Sequence, residues 1–142
     1  MEKNVLKIKN LKKTYHTKNK EILAVEDFSL NLKEGEFVSI VGPSGCGKST
    51  ILSILAELDN KSFGDIELTE KTRIGYMLQQ DALFDFRTVL DNCLLGLEIN
   101  KNLTNETKNY VLNLLKIYGL KDFINSYPAT LSGGMRQRVA LI

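Results

Sequence analysis

The sequence predicts an α/β fold, and three observations carry that prediction. Phe37-Val38-Ser39-Ile40-Val41 is apolar and β-rich, as a strand buried on both faces is. It runs into the glycine-rich stretch Gly42-Pro43-Ser44-Gly45-Cys46-Gly47-Lys48-Ser49-Thr50, behind which Ile51, Ile54, Leu55 and Leu58 fall at i, i+3, i+4 and i+7, one apolar face of a helix. Around this strand–loop–helix unit, the earlier residues alternate as half-exposed strands do, and the later ones repeat with helical period.

Taken in order, Leu6-Lys7-Ile8-Lys9 alternates and reads as a half-exposed strand. Lys12-Lys13-Thr14-Tyr15-His16 follows as a loop. His16, the only histidine, reads as solvated rather than catalytic. Residues 21–33 hold two further strand-like runs, of which Phe28-Ser29-Leu30-Asn31-Leu32-Lys33 alternates strictly. Glu34-Gly35 is a turn into the strand at 37–41. The N-terminal strands are therefore expected to be antiparallel and one-sided. After the helix, residues 59–64 form a polar loop. Asp65-Ile66-Glu67-Leu68 and Arg73-Ile74-Gly75-Tyr76-Met77-Leu78 read as short strands around a Thr69-Glu70-Lys71-Thr72 turn. Gln79-Gln80-Asp81 then breaks the apolar pattern. Thr88-Val89-Leu90-Asp91 has capping-box spacing, with Asp91 in place of the usual Glu, and Leu90, Cys93, Leu94 and Leu97 mark one helical face. Residues 105–118 form another helix, with Val111, Leu114, Leu115 and Tyr118 on one side and Gly119 placed to end it. A short helix over 121–125 precedes Pro128, which stops it.

The stretch from Gly42 to Thr50 matches G-x-x-x-x-G-K-[ST], the pattern of a phosphate-cradling P-loop. Such a loop turns backbone N–H groups inward toward an anion. Gly42, Gly45 and Gly47 permit the tight turn and the close approach. Lys48 would bring a point charge to the β- and γ-phosphates, and Ser49 a hydroxyl to Mg²⁺. The helix starting at the loop aims its free N–H groups at the same place.

Composition bounds the rest. A chain of 142 residues, 43% hydrophobic and 25% charged, fits one ordinary globular domain. The net charge of +2 is too small to argue for nucleic acid. Seven lysines against one acid, Glu2, in the first twenty residues read best as charges that protect strand edges from pairing with other chains. Cys46 and Cys93 form no disulfide framework, which suits a reducing compartment, and their spacing is no zinc pattern. No apolar run approaches the roughly 20 residues of a membrane span.

A second motif changes the reading. Leu131-Ser132-Gly133-Gly134-Met135-Arg136-Gln137-Arg138 is a small-residue loop opening a helix, with two arginines on its first turns. Physically it is a second candidate anion site. It also resembles the signature sequence of the ATP-binding-cassette (ABC) ATPases. The rest of the chain, from residue 1 to residue 142, is similar to that family. Lys13-Thr14-Tyr15 resembles its A-loop, where an aromatic ring stacks on adenine, although by local sequence Tyr15 reads as a packing residue. Tyr76-Met77-Leu78-Gln79 resembles the Q-loop. Gln79 is preferred to Gln80 because Ala82-Leu83-Phe84 stands where the family has a similar run after that glutamine. Arg87-Thr88-Val89-Leu90-Asp91-Asn92 resembles the nitrate, sulfonate and taurine importer group, although Phe84-Asp85-Phe86 departs from that group's usual Leu-Pro-Trp.

The resemblance implies a P-loop NTPase (RecA-like) core with an N-terminal antiparallel β-subdomain over 1–79 and a helical subdomain over 80–142. It implies ATP and Mg²⁺ as ligands: Tyr15 and Gly42 through Thr50 for the nucleotide, Ser49 and Gln79 for the metal, and Gln79 also for the attacking water. Leu131, Ser132, Gly133, Gly134 and Gln137 would act on the nucleotide of a second copy, with Ser132, Gly133 and Gly134 capping its γ-phosphate. A membrane permease would dock on the region 79–92. The subunit is expected to be cytoplasmic and peripheral on the inner face of the membrane, with no nucleic-acid partner.

The resemblance also implies parts that these residues do not contain. No apolar strand ending in Asp-Glu, the form of the family's Walker B strand, occurs in the sequence. The nearest run, Leu94-Leu95-Gly96-Leu97-Glu98, has helical periodicity. The fold is therefore expected to be incomplete at its C-terminus. Without a general base, attack by water loses on the order of 10²–10⁴ in rate, so weak nucleotide binding and little turnover are expected. Two alternatives stay open: an inactive fragment of such a subunit, and an ABC ATPase that acts on ribosomes or DNA.

Overall fold

The computed structural model describes residues 4–70 and 72–142. Glu2 and Lys3 of the lysine-rich stretch and Lys71 of the expected turn lie outside them. The chain divides into two compact units, Met1–Tyr76 and Met77–Ile142.

The first unit is an antiparallel sheet with a helix. Strands β1 (Asn4–His16), β2 (Glu21–Lys33) and β3 (Phe63–Leu68) take the order β2-β1-β3, with helix α1 (Lys48–Leu55) between β2 and β3 in sequence. Ile8 pairs with Leu30 on one side and Ile66 on the other. Leu6, Ile8, Leu11, Val25, Ile51 and Ile54 form the buried core.

β1 is one strand, not the strand and loop expected from the sequence. Lys9 and Asn10 are both exposed, and burial then resumes at Leu11 and Lys13 instead of Asn10 and Lys12. Asn10 sits at φ +48, where the pairing register shifts between Ile8 and Leu11. This β-bulge flips the alternation by one residue, so an unbroken strand looks like two segments. Gly64 completes the device: a Cβ there would lie 2.5 Å from the Asn10 carbonyl oxygen. The two runs expected over 21–33 likewise merge into the single strand β2. Its pairing shifts between Leu11–Phe28 and Lys13–Val25, with Glu26 and Asp27 both exposed.

Two expected strands do not form. Residues 37–41 and 73–78 have no strand partner among the described residues. Phe37 and Val41 are 91% and 90% exposed, whereas Ile40 packs against the core. A parallel strand exists only through its neighbours' hydrogen bonds. All three strands of the described residues are used in the antiparallel sheet, so the apolar composition of 37–41 meets no partner.

The second unit is helical: α2 (Val89–Ile99), α3 (Asn105–Ile117), two 3₁₀ turns at Lys121–Phe123 and Pro128–Thr130, and α4 (Gly133–Leu141). Pro128 thus opens a turn; the preceding one already ends at Phe123, so Pro128 does not stop it as the sequence suggested. Val89, Leu94, Val111, Leu115, Leu120, Leu131 and Val139 form its core. Thr88 caps α2 by accepting from the Asp91 amide at 3.1 Å, but its hydroxyl donates to Asp91 Oδ2 at 2.6 Å. The box is therefore half-formed, because the Asp side chain is spent on the capping hydroxyl. Thr104 and Thr107 form the complete box at α3. α3 ends at Ile117 with Tyr118 as its cap, and Gly119 at φ +71 turns the chain so that the Leu120 amide reaches back to the Leu115 carbonyl at 2.7 Å.

Candidate nucleotide-binding site

In the first unit, residues 42–47 form an exposed loop on the N-terminus of α1. Gly47 holds it against the sheet. It lies at φ +90, and a Cβ there would come within 2.3 Å of the Ala24 carbonyl oxygen on β2. Only glycine combines that backbone with that approach. Lys48 Nζ folds back over the loop, donating to the carbonyls of Gly42 and Pro43, each at 2.8 Å, with Cys46 Sγ at 3.4 Å. The amides of Gly45, Gly47, Lys48 and Ser49 find no backbone acceptor among the described residues. The Ser49 hydroxyl is exposed beside them. An ammonium over a row of free N–H groups is a fitting environment for a polyphosphate, and Ser49 is placed to offer an oxygen to a cation carried with it.

Tyr15 lies near the end of β1, 37% exposed, with its hydroxyl donating to Asp59 Oδ2 at 2.6 Å. Lys13 Nζ stands 4.6 Å from the ring centroid. The tyrosine is thus fixed in place without being buried. The sequence offered no signal for Asp59, which lies in the polar loop after α1. His16 is exposed and paired with Glu21 at 3.0 Å.

In the second unit, Gln79, Gln80, Asp81, Gly133, Arg136 and Gln137 line an open cleft of about 450 Å³. The structure therefore brings Gln79 and the signature residues Gly133 and Gln137 to one place. Ser132 caps α4, accepting from the Met135 amide at 3.3 Å. Leu131 is buried in the core. The two arginines, read from the sequence as part of an anion site, have other partners. Arg136 Nε pairs with Asp81 Oδ2 at 2.8 Å, and Arg138 Nη1 donates to the Tyr118 carbonyl at the end of α3, also at 2.8 Å. Gly133 and Gly134 have nothing within 4 Å of a Cβ position.

Asn92, part of the importer-like segment, acts as a clamp. Its amide donates to the carbonyls of Phe84, Arg87 and Thr88 and accepts from the Phe84 amide at 2.8 Å. Arg87 is held by both carboxylate oxygens of Glu98, at 2.8 and 2.7 Å. These bonds present Phe84 and Phe86 as a tilted pair 5.4 Å apart, with Phe86 77% exposed. No helix among the described residues is long and apolar enough to cross a membrane.

A phosphate-type loop on a helix start, with a second small-residue helix start, defines a nucleotide-binding cassette. The chain belongs to the ABC transporter family, whose sequence profile matches residues 25–142. It is 44% identical to the uncharacterized ABC transporter ATP-binding protein YtlC of Bacillus subtilis (strain 168), over 96% of this chain and 55% of that protein. It is 37% identical to the spermidine/putrescine import ATP-binding protein PotA of Spiroplasma citri, over 99% of this chain and 42% of that protein. The chain thus spans about half the length of the curated relatives it matches. The solved dimeric post-hydrolysis structure of the ATP-binding cassette MJ0796, bound to ADP and Pi, superposes with a TM-score of 0.82 at 37% identity. The match covers 96% of this chain and 67% of that one. The ABC cassette fold expected from the sequence is the fold of these structures.

Proposed function

We propose that the chain belongs to an ATP-binding subunit that powers an ABC-type importer by binding and hydrolysing ATP. Gly42 through Thr50 hold the phosphates, Ser49 offers its hydroxyl to Mg²⁺, and Tyr15 carries the base; the metal role of Gln79 rests on the family resemblance alone. Ser132, Gly133 and Gly134, with Leu131 and Gln137 beside them, close over the nucleotide of a second copy. The observation that carries this reading is the loop 42–47 on the start of α1, with Lys48 Nζ folded over amides that have no backbone acceptor among the described residues. The two-copy arrangement draws support from the dimeric cassette MJ0796, to which the chain is 37% identical.

The importer role draws support from relatives described as spermidine/putrescine and methionine import ATP-binding proteins. The nitrate, sulfonate and taurine group is supported by the Arg87-to-Asn92 segment alone. The region 79–92, with the Phe84–Phe86 pair exposed, is the proposed seat of a membrane permease, and the subunit is proposed to be cytoplasmic and peripheral on the inner face of the membrane. The 142 residues contain no Asp-Glu-ended apolar strand, so by themselves they are expected to hydrolyse ATP slowly.

Sedimentation velocity with and without millimolar MgATP tests the reading. It predicts nucleotide-dependent dimers that disappear in Ser132→Arg, which fills the space beside the glycines. Sedimentation unaffected by nucleotide would contradict the two-copy site.

A further inference from the structure

Tyr15, Asp59 and Lys13 form a closed set of contacts. Tyr15 Oη donates to one carboxylate oxygen of Asp59, Oδ2, at 2.6 Å. Lys13 Nζ donates to the other, Oδ1, also at 2.6 Å, and to the Asn60 carbonyl at 2.5 Å. The Asn60 amide donates to Asp59 Oδ1 at 2.7 Å. The loop bearing Asp59 is tied to β1 separately: the Ser62 amide donates to the Lys12 carbonyl at 2.9 Å, and the Thr14 amide to Ser62 Oγ at 3.0 Å.

Lys13 is 8% exposed, the one buried charged residue among those described. An ammonium has three donors and no acceptor. Two are used on Asp59 and Asn60, and the charge faces the Tyr15 ring, so Lys13 is not free to bind phosphate. A buried ammonium needs a partner, and Asp59 supplies it. The same carboxylate then holds the phenol. The Asp59 carboxyl is lowered to about 2, chiefly by the hydrogen bonds from Lys13 and Tyr15.

We propose that Asp59, held by the buried Lys13, is a positioning residue that fixes the Tyr15 ring as the platform for the nucleotide base. This rests on the reading of Tyr15 as the base-stacking residue. The hydroxyl bond stops the ring from swinging about its side-chain torsions. The ammonium lies over one face of the ring, 4.6 Å from its centroid, so a base would stack on the other. A tyrosine kept only for packing would need neither a fixed hydroxyl nor 37% exposure.

Two probes separate positioning from general stability: ATP, and inorganic tripolyphosphate, which has no base. Affinities are measured by calorimetry for the wild-type chain, Tyr15→Ala, Tyr15→Phe and Asp59→Ala. Tyr15→Ala and Asp59→Ala are expected to weaken ATP about fivefold or more while tripolyphosphate binding stays within about twofold. Tyr15→Phe, which leaves the Lys13–Asp59 pair intact, gives a smaller loss with the same selectivity for ATP, and covers the case in which Asp59→Ala fails to fold. Equal weakening of both probes in Asp59→Ala, or wild-type ATP affinity in Tyr15→Phe, overturns the positioning role while a selective loss in Tyr15→Ala preserves the stacking reading. An unchanged ratio in Tyr15→Ala overturns both.

Discussion

Arg136 Nε donates to Asp81 Oδ2 at 2.8 Å, tying the first turns of α4 to the residue two places after Gln79. The guanidinium is thereby a strut within the helical unit, not a free cation awaiting an anion. Both partners are partly exposed, so the pair contributes modestly. Arg136→Ala should lower the unfolding free energy in urea by about 1 kcal/mol or less. It should leave ATP affinity unchanged; a large loss of affinity would instead mark Arg136 as a phosphate ligand.

The loop glycine tests the cradle's geometry. Gly47→Ala places a methyl against the Ala24 carbonyl at a left-handed φ. A cost of about 1–3 kcal/mol follows from the backbone strain, before the clash is added. Thermal denaturation should show the loss, and calorimetry should show no ATP binding.

Gly133 should behave differently. It is the first residue of α4 and nothing lies near a Cβ there, so Gly133→Ala should shift stability by no more than about 0.5 kcal/mol in the same denaturation assay. Nucleotide-dependent dimers should nevertheless weaken in sedimentation, because the added methyl would enter the space proposed for the partner's nucleotide.

The two cysteines should differ chemically. Burial raises the Cys93 thiol to about 11, and its Sγ lies 3.7 Å from the Val139 carbonyl. Cys46 is exposed in the loop. At pH 8 a thiol reagent should modify Cys46 rapidly and Cys93 much more slowly, with mass spectrometry locating the adduct. The raised thiol also gives a sign for stability. The folded chain keeps a proton that the unfolded chain releases near pH 9, so stability falls as pH rises from 9 to about 11. Cys93→Ala should flatten that part of the pH profile.

Much of this was legible in the sequence because local chemistry dictated it. The loop from Gly42 to Thr50, the cap at Thr88, the face of α2 and the Val111–Leu115 part of the α3 face depend on residues close in the chain, whereas Tyr118, expected on that face, is exposed. What escaped depended on distant partners or on a shifted period. The bulge at Asn10 flips the alternation of β1, so half of that strand read as loop. Residues 37–41 have a strand's composition, but pairing requires a neighbour that the described residues do not offer. Asp59 is separated from Tyr15 by most of the first unit and sits in an ordinary polar loop, so no pattern announced it. Asn92 was legible only as part of a resemblance; its role as a turn clamp needed coordinates.

The loop of the first unit is proposed to cradle nucleotide phosphates beneath Lys48. Isothermal titration of MgATP into the wild-type chain and into Lys48→Ala tests it most directly. Weak but saturable binding to the wild type and at least a tenfold loss in the variant, about 1.4 kcal/mol, are expected. Equal affinity in the two proteins would contradict it.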